Sequence, residues 1–149
     1  MKPKFIDYYM KVAELTSTLS YAKRLQVGSV IVKGNKILAT GFNGMPSGWD
    51  NECETVEIVE IDEKFSKQLV TKQEVLHSET NAIAKVSAST ESSEGATMFC
   101  THAPCINCAK LIYQSGINSL FYRDTYRDTS GIEFLESSGV SVTKYETKV

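Results

Sequence analysis

The chain has 149 residues, of which 42% are hydrophobic and 23% charged, and its formal net charge at pH 7 is −2. This length and composition predict a single globular domain, 1–149, with a proper hydrophobic core. No apolar run approaches the length of a membrane helix, and the N-terminus lacks the apolar core of a signal peptide, so we expect a cytoplasmic protein outside the membrane. The slightly acidic balance argues against tight binding of nucleic acid but not against a small anionic substrate.

The first predicted element is an amphipathic helix over residues 4–20, packed on a sheet. Its apolar positions at helical spacing are Phe5, Tyr8, Tyr9, Val12, Leu15 and Leu19. We interpret this stripe as core rather than as a ligand site. The loop 21–26 then carries the adjacent cations Lys23 and Arg24, which are either solvated surface or a phosphate-binding pair.

A β-hairpin is predicted next, with strands at 27–33 and 36–42 and a tight turn at Gly34 and Asn35, two residues that tolerate positive φ. The segment 41–49 contains three glycines and Pro46, which indicates a shaped loop. It is either an ordinary turn or a backbone cradle for phosphate or sugar groups.

Residues 50–76 form an acidic, irregular excursion that could serve as a lid, an interface or both. Alternating apolar and charged residues make a short strand possible at 56–61. Asp62 could cap a short helix that runs through Phe65, Leu69 and Val70.

Helices and strands then alternate to the end of the chain. We predict helices at 78–86, 105–114 and 131–138, and strands at 96–101, 119–123 and 140–145. Gly116 is expected to stop the second of these helices, Cys100 to be a core residue, and His102 to be a neutral, hydrogen-bonded histidine. This alternation implies a mixed sheet covered by helices on both faces.

The stretch 77–108 holds the residues with the clearest chemistry. His77, Cys105 and Cys108 supply one imidazole and two thiolates, which are ligands that zinc prefers, and a catalytic zinc keeps its fourth position for water. With Pro104 at the start of a helix, the two cysteines lie on one helical face at the positive end of its dipole. Glu79 is not needed as a ligand and is free to move protons.

Other interpretations of these residues remain. A CxxC pair alone could be a redox pair or half of a structural zinc site, with Cys100 or His102 completing four ligands. Cys53 and Cys100 lie in unlike contexts, so we expect reduced thiols rather than disulfides.

At this point the residues resemble a known family, the deoxycytidylate (dCMP) deaminases of the cytidine-deaminase-like superfamily, over nearly the full chain. HxE followed by PCxxC is typical of zinc-dependent nucleobase deaminases in general. The matching blocks are QVGSVIV at 26–32, GFNGMPSG at 41–48, HSETNAI at 77–83, and PCINCAK at 104–110 followed by QSGI at 114–117. The GFNGxPxG loop, the excursion before His77 and the loop after Asp124 resemble the dCMP branch in particular.

The resemblance implies a three-layer α/β/α fold around a five-stranded mixed sheet. It also implies zinc-dependent hydrolysis of dCMP to dUMP, a homohexamer, activation by dCTP and inhibition by dTTP, each effector with Mg²⁺. Two positions depart from the family pattern. Ser78 stands where alanine is usual, and Ala103 stands where serine often precedes the Pro-Cys pair; we expect both to be tolerated.

The resemblance further implies roles for individual residues. Asn43 would hold the deoxyribose 3′-hydroxyl, and Tyr126 would reach the phosphate with Lys23 or Arg24 as a charge partner. The backbone from Thr101 through Ala103 to Pro104 would meet the amino group and the ring. The effector region is implied to comprise Asn43, Gly44, Met45, Pro46, Ser47 and Gly48.

Three rival functions share parts of this pattern. A cytidine or deoxycytidine deaminase would share the zinc chemistry without a phosphate pocket. A deaminase that edits single-stranded DNA or tRNA would need a basic surface that this composition does not favour. A non-catalytic zinc module would have no need for a carboxylate such as Glu79 beside the metal.

Overall fold

The computed structural model describes residues 1–147, so the last two residues of the predicted domain 1–149 lie outside the described part. The helices are α1 (Pro3–Ser17), α2 (Ser78–Ser87), α3 (Ile106–Gln114) and α4 (Ser130–Ser137). The strands are β1 (Gly28–Lys33), β2 (Lys36–Phe42), β3 (Glu54–Ile61), β4 (Lys64–Thr71), β5 (Thr97–His102), β6 (Ser119–Asp124) and β7 (Ser141–Lys144). No helix within residues 1–147 has both the length and the apolar character needed to cross a membrane.

Five strands form one mixed sheet in the order β2-β1-β5-β6-β7. Strand β1 is antiparallel to β2 and β5, whereas β5, β6 and β7 run parallel. Parallel neighbours need a crossover connection, and α3 and α4 supply the two crossovers. The predicted five-stranded mixed sheet is therefore confirmed.

The two faces of the sheet are covered by different helices. On one face Tyr9, Met10 and Ala13 of α1 pack against a cluster that includes Val30 and Val32. On the other face, Ile31 joins a larger cluster built from α2, α3 and α4. Successive side chains of a strand point to opposite faces, so the continuous apolar run of β1 serves both layers. The three-layer α/β/α arrangement is confirmed.

Helix α1 differs from its prediction in length and in the face it buries. It ends at Ser17, and Tyr8, Leu15 and Leu19, which we expected in the core, are 54%, 73% and 60% exposed. The buried face contains Tyr9, Met10, Ala13 and Thr16. The physical reason lies in Gly28, where an added Cβ would come within 2.0 Å of the Ala13 carbonyl oxygen. This close approach requires small residues on both elements. It turns the helix so that Tyr8, Leu15 and Leu19 face outward, whereas Tyr9 is buried and Phe5 and Val12 pack against the core.

The region 54–71 was also predicted wrongly in part. A strand exists near the predicted 56–61, but the helix from Asp62 through Phe65, Leu69 and Val70 does not form, since Lys64–Thr71 is strand β4. Asp62 and Glu63 adopt φ of 53° and 61°, which is the backbone of a two-residue hairpin turn whose twist matches the flanking strands. We call the β3–β4 hairpin the arm. All other predicted elements begin and end within one residue of the observed ones.

Two glycines bring backbone close to the segments that carry His77 and Cys105. A Cβ on Gly41 of β2 would lie 2.2 Å from the Ser78 carbonyl oxygen at the start of α2. A Cβ on Gly131 of α4 would lie 2.1 Å from the Pro104 carbonyl oxygen. These contacts fix the positions of both chain segments relative to the sheet and to α4.

Candidate active site

Three side chains converge where α2 and α3 begin. His77 is the N-cap of α2, Cys105 is the N-cap of α3, and Cys108 lies in the first turn of α3. Their ligand atoms all lie within 4.8 Å of one another. His77 Nδ1 is 3.2 Å from the Cys108 sulfur and 3.6 Å from the Cys105 sulfur. The three predicted ligands are therefore brought together by two helix N-termini.

The chemistry of this group suits a divalent metal. The hydrogen bond with Cys108, together with that to His77, lowers the pKa of Cys105 to about 4. The hydrogen bond with Cys105 and burial raise the pKa of Cys108, because two sulfurs so close together share one proton. The Cys108 backbone N–H also donates to the Cys105 sulfur, at 3.4 Å. A tetrahedral zinc ion would neutralise both thiolates, so the donor set fits zinc.

Glu79 lies beside this group without belonging to it. It is in the first turn of α2 and only 4% exposed. Burial raises its pKa, because desolvation disfavours the charged carboxylate. A buried carboxyl group beside a metal site is a candidate for proton transfer.

Neither alternative fourth ligand joins the cluster in the described part of the chain. The metal-ligating group comprises His77, Cys105 and Cys108. Cys100 is fully buried in the core, where its sulfur accepts a hydrogen bond from Ser29. Both ring nitrogens of His102 are engaged with Thr101 and Asp124. All four cysteines are free thiols, as predicted.

The site opens into a cavity of about 1220 Å³. His77, Glu79 and Cys105 line its floor. The polar and charged residues that line the remaining wall are Arg24, Asn43, Gln68, Thr71, His102, Asp124, Thr125, Tyr126, Arg127 and Asp128. The cavity can therefore enclose a molecule larger than a single base, with two arginines available for an anionic group.

The sequence that forms this site matches a known protein family. The family model described as "Cytidine and deoxycytidylate deaminase zinc-binding region" matches residues 3–123. The chain belongs to this deaminase family.

Curated relatives of the family include deoxycytidylate deaminases. The human enzyme is 34% identical over 149 residues, covering 95% of this chain and 80% of its own. The enzyme of Saccharomyces cerevisiae is 32% identical over 97% of this chain. This chain spans only 46% of that yeast protein and 45% of the Schizosaccharomyces pombe enzyme, about half of each.

A solved structure resembles the whole chain. The crystal structure of a dCMP deaminase from the cyanophage S-TIM5, in complex with dCMP and dUMP, is 44% identical. It has a TM-score of 0.86 and covers 97% of this chain and 99% of its own. These relatives confirm the resemblance to the deoxycytidylate deaminases.

The structure places the other predicted site residues differently with respect to the cavity. Arg24, Asn43, Ala103 and Tyr126 line it. Thr101 and Pro104 are fully buried and are not among the residues that line it. Lys23 lines a separate, smaller depression beside Cys53.

The loop of Gly44, Met45, Pro46, Ser47 and Gly48 lies outside the cavity lining. Gly44 nevertheless pairs with Leu76, the residue before His77, through two backbone hydrogen bonds of 3.1 and 2.8 Å.

Some lining residues escaped the sequence interpretation. Gln68 and Thr71 belong to β4, and they were missed because that segment was assigned to a helix. Arg127 was seen only as part of a polar loop. The signal in the sequence was that Arg127 directly follows Tyr126, the residue expected to reach the phosphate.

The family departure at Ser78 is compensated within this chain. Its hydroxyl lies 2.6 Å from that of Ser29, and both residues are at most 1% exposed. Each buried hydroxyl therefore has a partner.

Proposed function

We propose that this protein catalyses the zinc-dependent hydrolytic deamination of dCMP to dUMP and ammonia, supplying dUMP for dTMP synthesis. The observation that carries this proposal is the buried Glu79 beside the His77, Cys105 and Cys108 group, in a cavity that is also lined by two arginines. The dCMP-bound and dUMP-bound cyanophage relative supports the substrate assignment.

His77, Cys105 and Cys108 would hold the zinc ion, which lowers the pKa of a bound water molecule towards neutrality. Glu79 accepts a proton from that water and delivers it to N3 of the pyrimidine, which makes C4 electrophilic. The hydroxide formed in this way would add to C4 and give a tetrahedral carbon. Glu79 would then carry the proton of the new C4 hydroxyl to the amino group, so that the C4–N bond breaks, ammonia leaves and a C4–O double bond forms. Burial raises the pKa of Glu79 and so favours its protonated form, in which it can donate to N3.

The backbone at Ala103 and Pro104 suits recognition of the amino group. The Ala103 N–H donates to the Asp124 carbonyl oxygen at 2.8 Å, and proline has no N–H. The carbonyl groups of this segment are therefore the groups it can offer, and carbonyls only accept hydrogen bonds. They favour the amino group of cytosine over the O4 atom of uracil, which assists release of the product.

Asn43 retains hydrogen-bonding capacity for a sugar hydroxyl. Its Nδ2 donates to Leu25 O and its Oδ1 accepts from Val27 N, each at 2.8 Å. One further N–H and one lone pair on Oδ1 remain. The two backbone contacts fix the amide orientation, which supports the proposed contact with the 3′-hydroxyl.

Of the two cations predicted to pair with the phosphate, Arg24 is the better placed. It lines the cavity, whereas Lys23 lies in the separate depression. Its guanidinium donates to the Thr71 hydroxyl at 3.1 Å, and its backbone N–H donates to Glu54 at 3.1 Å. Glu54 and Thr71 are paired at the base of the arm, so they hold Arg24 in place. Tyr126, on the same cavity wall, supplies a hydroxyl donor.

Regulation by dCTP and dTTP with Mg²⁺ is the finer part of the proposal. The effector region 43–48 is linked to the metal ligand His77 through the Gly44–Leu76 bridge, which supports a short route between the two sites.

A homohexamer is supported by exposed apolar residues on the arm, including Val56, Ile58 and Phe65 at 63%, 72% and 74% exposure.

An ammonia-release assay on dCMP, dCTP, deoxycytidine and CMP, each with and without dTTP, tests this function. We expect dCMP to have the highest kcat/KM and dTTP to reduce its turnover. A preference for deoxycytidine would favour the nucleoside deaminase instead. Absence of turnover on all four substrates by a zinc-loaded protein would refute the proposal, and gel-shift at physiological salt would then test nucleic-acid binding.

A further inference from the structure

His102 is the second of two histidines in the chain, and the chemistry proposed above does not use it. It ends β5 and lines the cavity, with a side chain only 12% exposed. Its Nδ1 lies 2.9 Å from the Thr101 hydroxyl, and its Nε2 lies 3.3 Å from Asp124 Oδ2. Both ring nitrogens are therefore engaged.

These partners fix where the ring proton lies. A carboxylate offers only lone pairs, so the 3.3 Å approach of Nε2 to Asp124 favours the tautomer with its hydrogen on Nε2. Burial lowers the pKa of His102, which keeps the ring neutral and leaves Nδ1 as an acceptor for the Thr101 hydroxyl. The Thr101 oxygen in turn accepts from the Gly28 N–H at 3.1 Å. A ring held in this way serves neither as a general base nor as a metal ligand.

Asp124 is held equally firmly from its other side. Arg123 donates to it through Nε at 3.2 Å and Nη2 at 3.0 Å, and Arg123 Nη1 reaches Glu14 of α1 at 3.1 Å. The Asp124 carbonyl oxygen also accepts from the Ala103 N–H. A continuous chain of contacts therefore runs from α1, past the C-terminal ends of β6 and β5, to the cavity.

Asp124 is the last residue of β6, and the loop 125–128 that follows it lines the cavity. Tyr126 in this loop is 50% exposed and meets the His102 ring edge-on, with 6.4 Å between ring centroids and 72° between ring planes. His102 thus contacts Asp124, the residue that precedes the loop, and Tyr126 within the loop.

We propose that His102 is a positioning residue that holds the Tyr126 loop in the conformation that binds the phosphate of the substrate. This inference rests on the proposed dCMP deaminase function. Loss of the His102 contacts leaves the zinc group and Glu79 intact, so it weakens substrate binding rather than the chemical step. The effect is confined to substrates that carry the phosphate.

The test compares His102→Leu with His102→Gln, because a glutamine amide can replace the Nε2 donor to Asp124 whereas leucine cannot. We expect His102→Leu to raise KM for dCMP about tenfold, as befits one hydrogen bond to a charged group, with kcat within about threefold of wild type. His102→Gln should restore most of that loss. Activity on deoxycytidine should change less than about twofold in both variants.

Hydrogen exchange of the amides at 125–128, measured without nucleotide, gives a readout independent of activity. We expect faster exchange in His102→Leu and near wild-type exchange in His102→Gln. Unchanged exchange in both variants would overturn the proposal even if the wild-type protein proved inactive on dCMP, which is the separate failure of the proposed function. Equal losses on dCMP and deoxycytidine, or no rescue by glutamine, would also overturn it. If His102→Leu fails to fold, Asp124→Leu removes the same contact from the other partner, because leucine cannot accept from Nε2.

Discussion

The buried hydroxyl pair of Ser29 and Ser78 allows a double-mutant cycle with a predictable asymmetry. The two oxygens lie 2.6 Å apart, and Ser29 also donates to the Cys100 sulfur at 3.5 Å. A hydroxyl has one hydrogen, so with Ser29 directed at Cys100 the hydrogen of Ser78 must be directed at Ser29. Within residues 1–147 no fully buried side-chain nitrogen or oxygen lacks a partner, so a hydroxyl left without one by a substitution is a new defect.

Ser29→Ala removes the acceptor of Ser78 and leaves a buried O–H unsatisfied, which costs about 1–3 kcal/mol of unfolding free energy. Ser78→Ala costs less, about 1 kcal/mol or below, because Ser29 can still donate to Cys100. The double variant should be no less stable than Ser29→Ala, because removing both partners leaves no orphaned hydroxyl of the pair.

Urea unfolding at fixed protein and zinc concentrations measures these differences. A loss of about 2 kcal/mol lowers the midpoint by about 1 M for a urea m-value of about 2 kcal/mol per M. Equal losses in the two single variants, together with additive losses in the double variant, would show that the hydroxyls are not coupled and that the assigned direction is wrong.

Four further outcomes are expected. Glu79→Gln should retain stoichiometric zinc while kcat falls about 10²–10⁴-fold, and turnover above a tenth of wild type would contradict its role in proton transfer. Gly41→Ala should cost about 3 kcal/mol or more in urea unfolding, because its Cβ would strike α2, whereas Gly44→Ala meets no atom within 4 Å and serves as the matched control. Removing zinc with a chelator should abolish turnover and lower the unfolding midpoint, both reversed by added Zn²⁺; an unchanged midpoint would place the metal elsewhere. Glu63→Gly should slow hydrogen exchange in the arm by stabilising it about 1 kcal/mol, since Glu63 adopts φ of 61°; unchanged or faster exchange would show that this backbone is not strained.

Of the two hairpin turns, one could be predicted from the sequence and the other could not. Both turns have two central residues at positive φ. Gly34 and Asn35 are the residue types that accept such a backbone readily, so their turn was predicted. Asp62 and Glu63 form a similar turn without glycine, and the helix-like spacing of the following apolar residues then favoured the wrong element.

The site was more predictable than the surface around it. The spacing of His77, Glu79, Cys105 and Cys108 along two helix starts determines most of their mutual geometry, so local sequence sufficed. The cavity wall depends instead on long-range pairing, as with Thr71, which reaches Arg24 only because β3 and β4 pair in the observed register. The exposure of Tyr8, Leu15 and Leu19 on α1 also depends on tertiary structure, because the contact between Gly28 and Ala13 joins a strand to the helix.

The arm leaves and rejoins the body of the protein at neighbouring points, where the Lys72 N–H donates to the Cys53 carbonyl oxygen at 2.8 Å. Its outer part, 58–67, lies beyond the arm residues that line the cavity, so its length can change without altering the cavity wall. This outer part can be lengthened, shortened or replaced with a reporter peptide, because the pairing of Glu54 with Thr71 keeps the two strands aligned at the base of the arm.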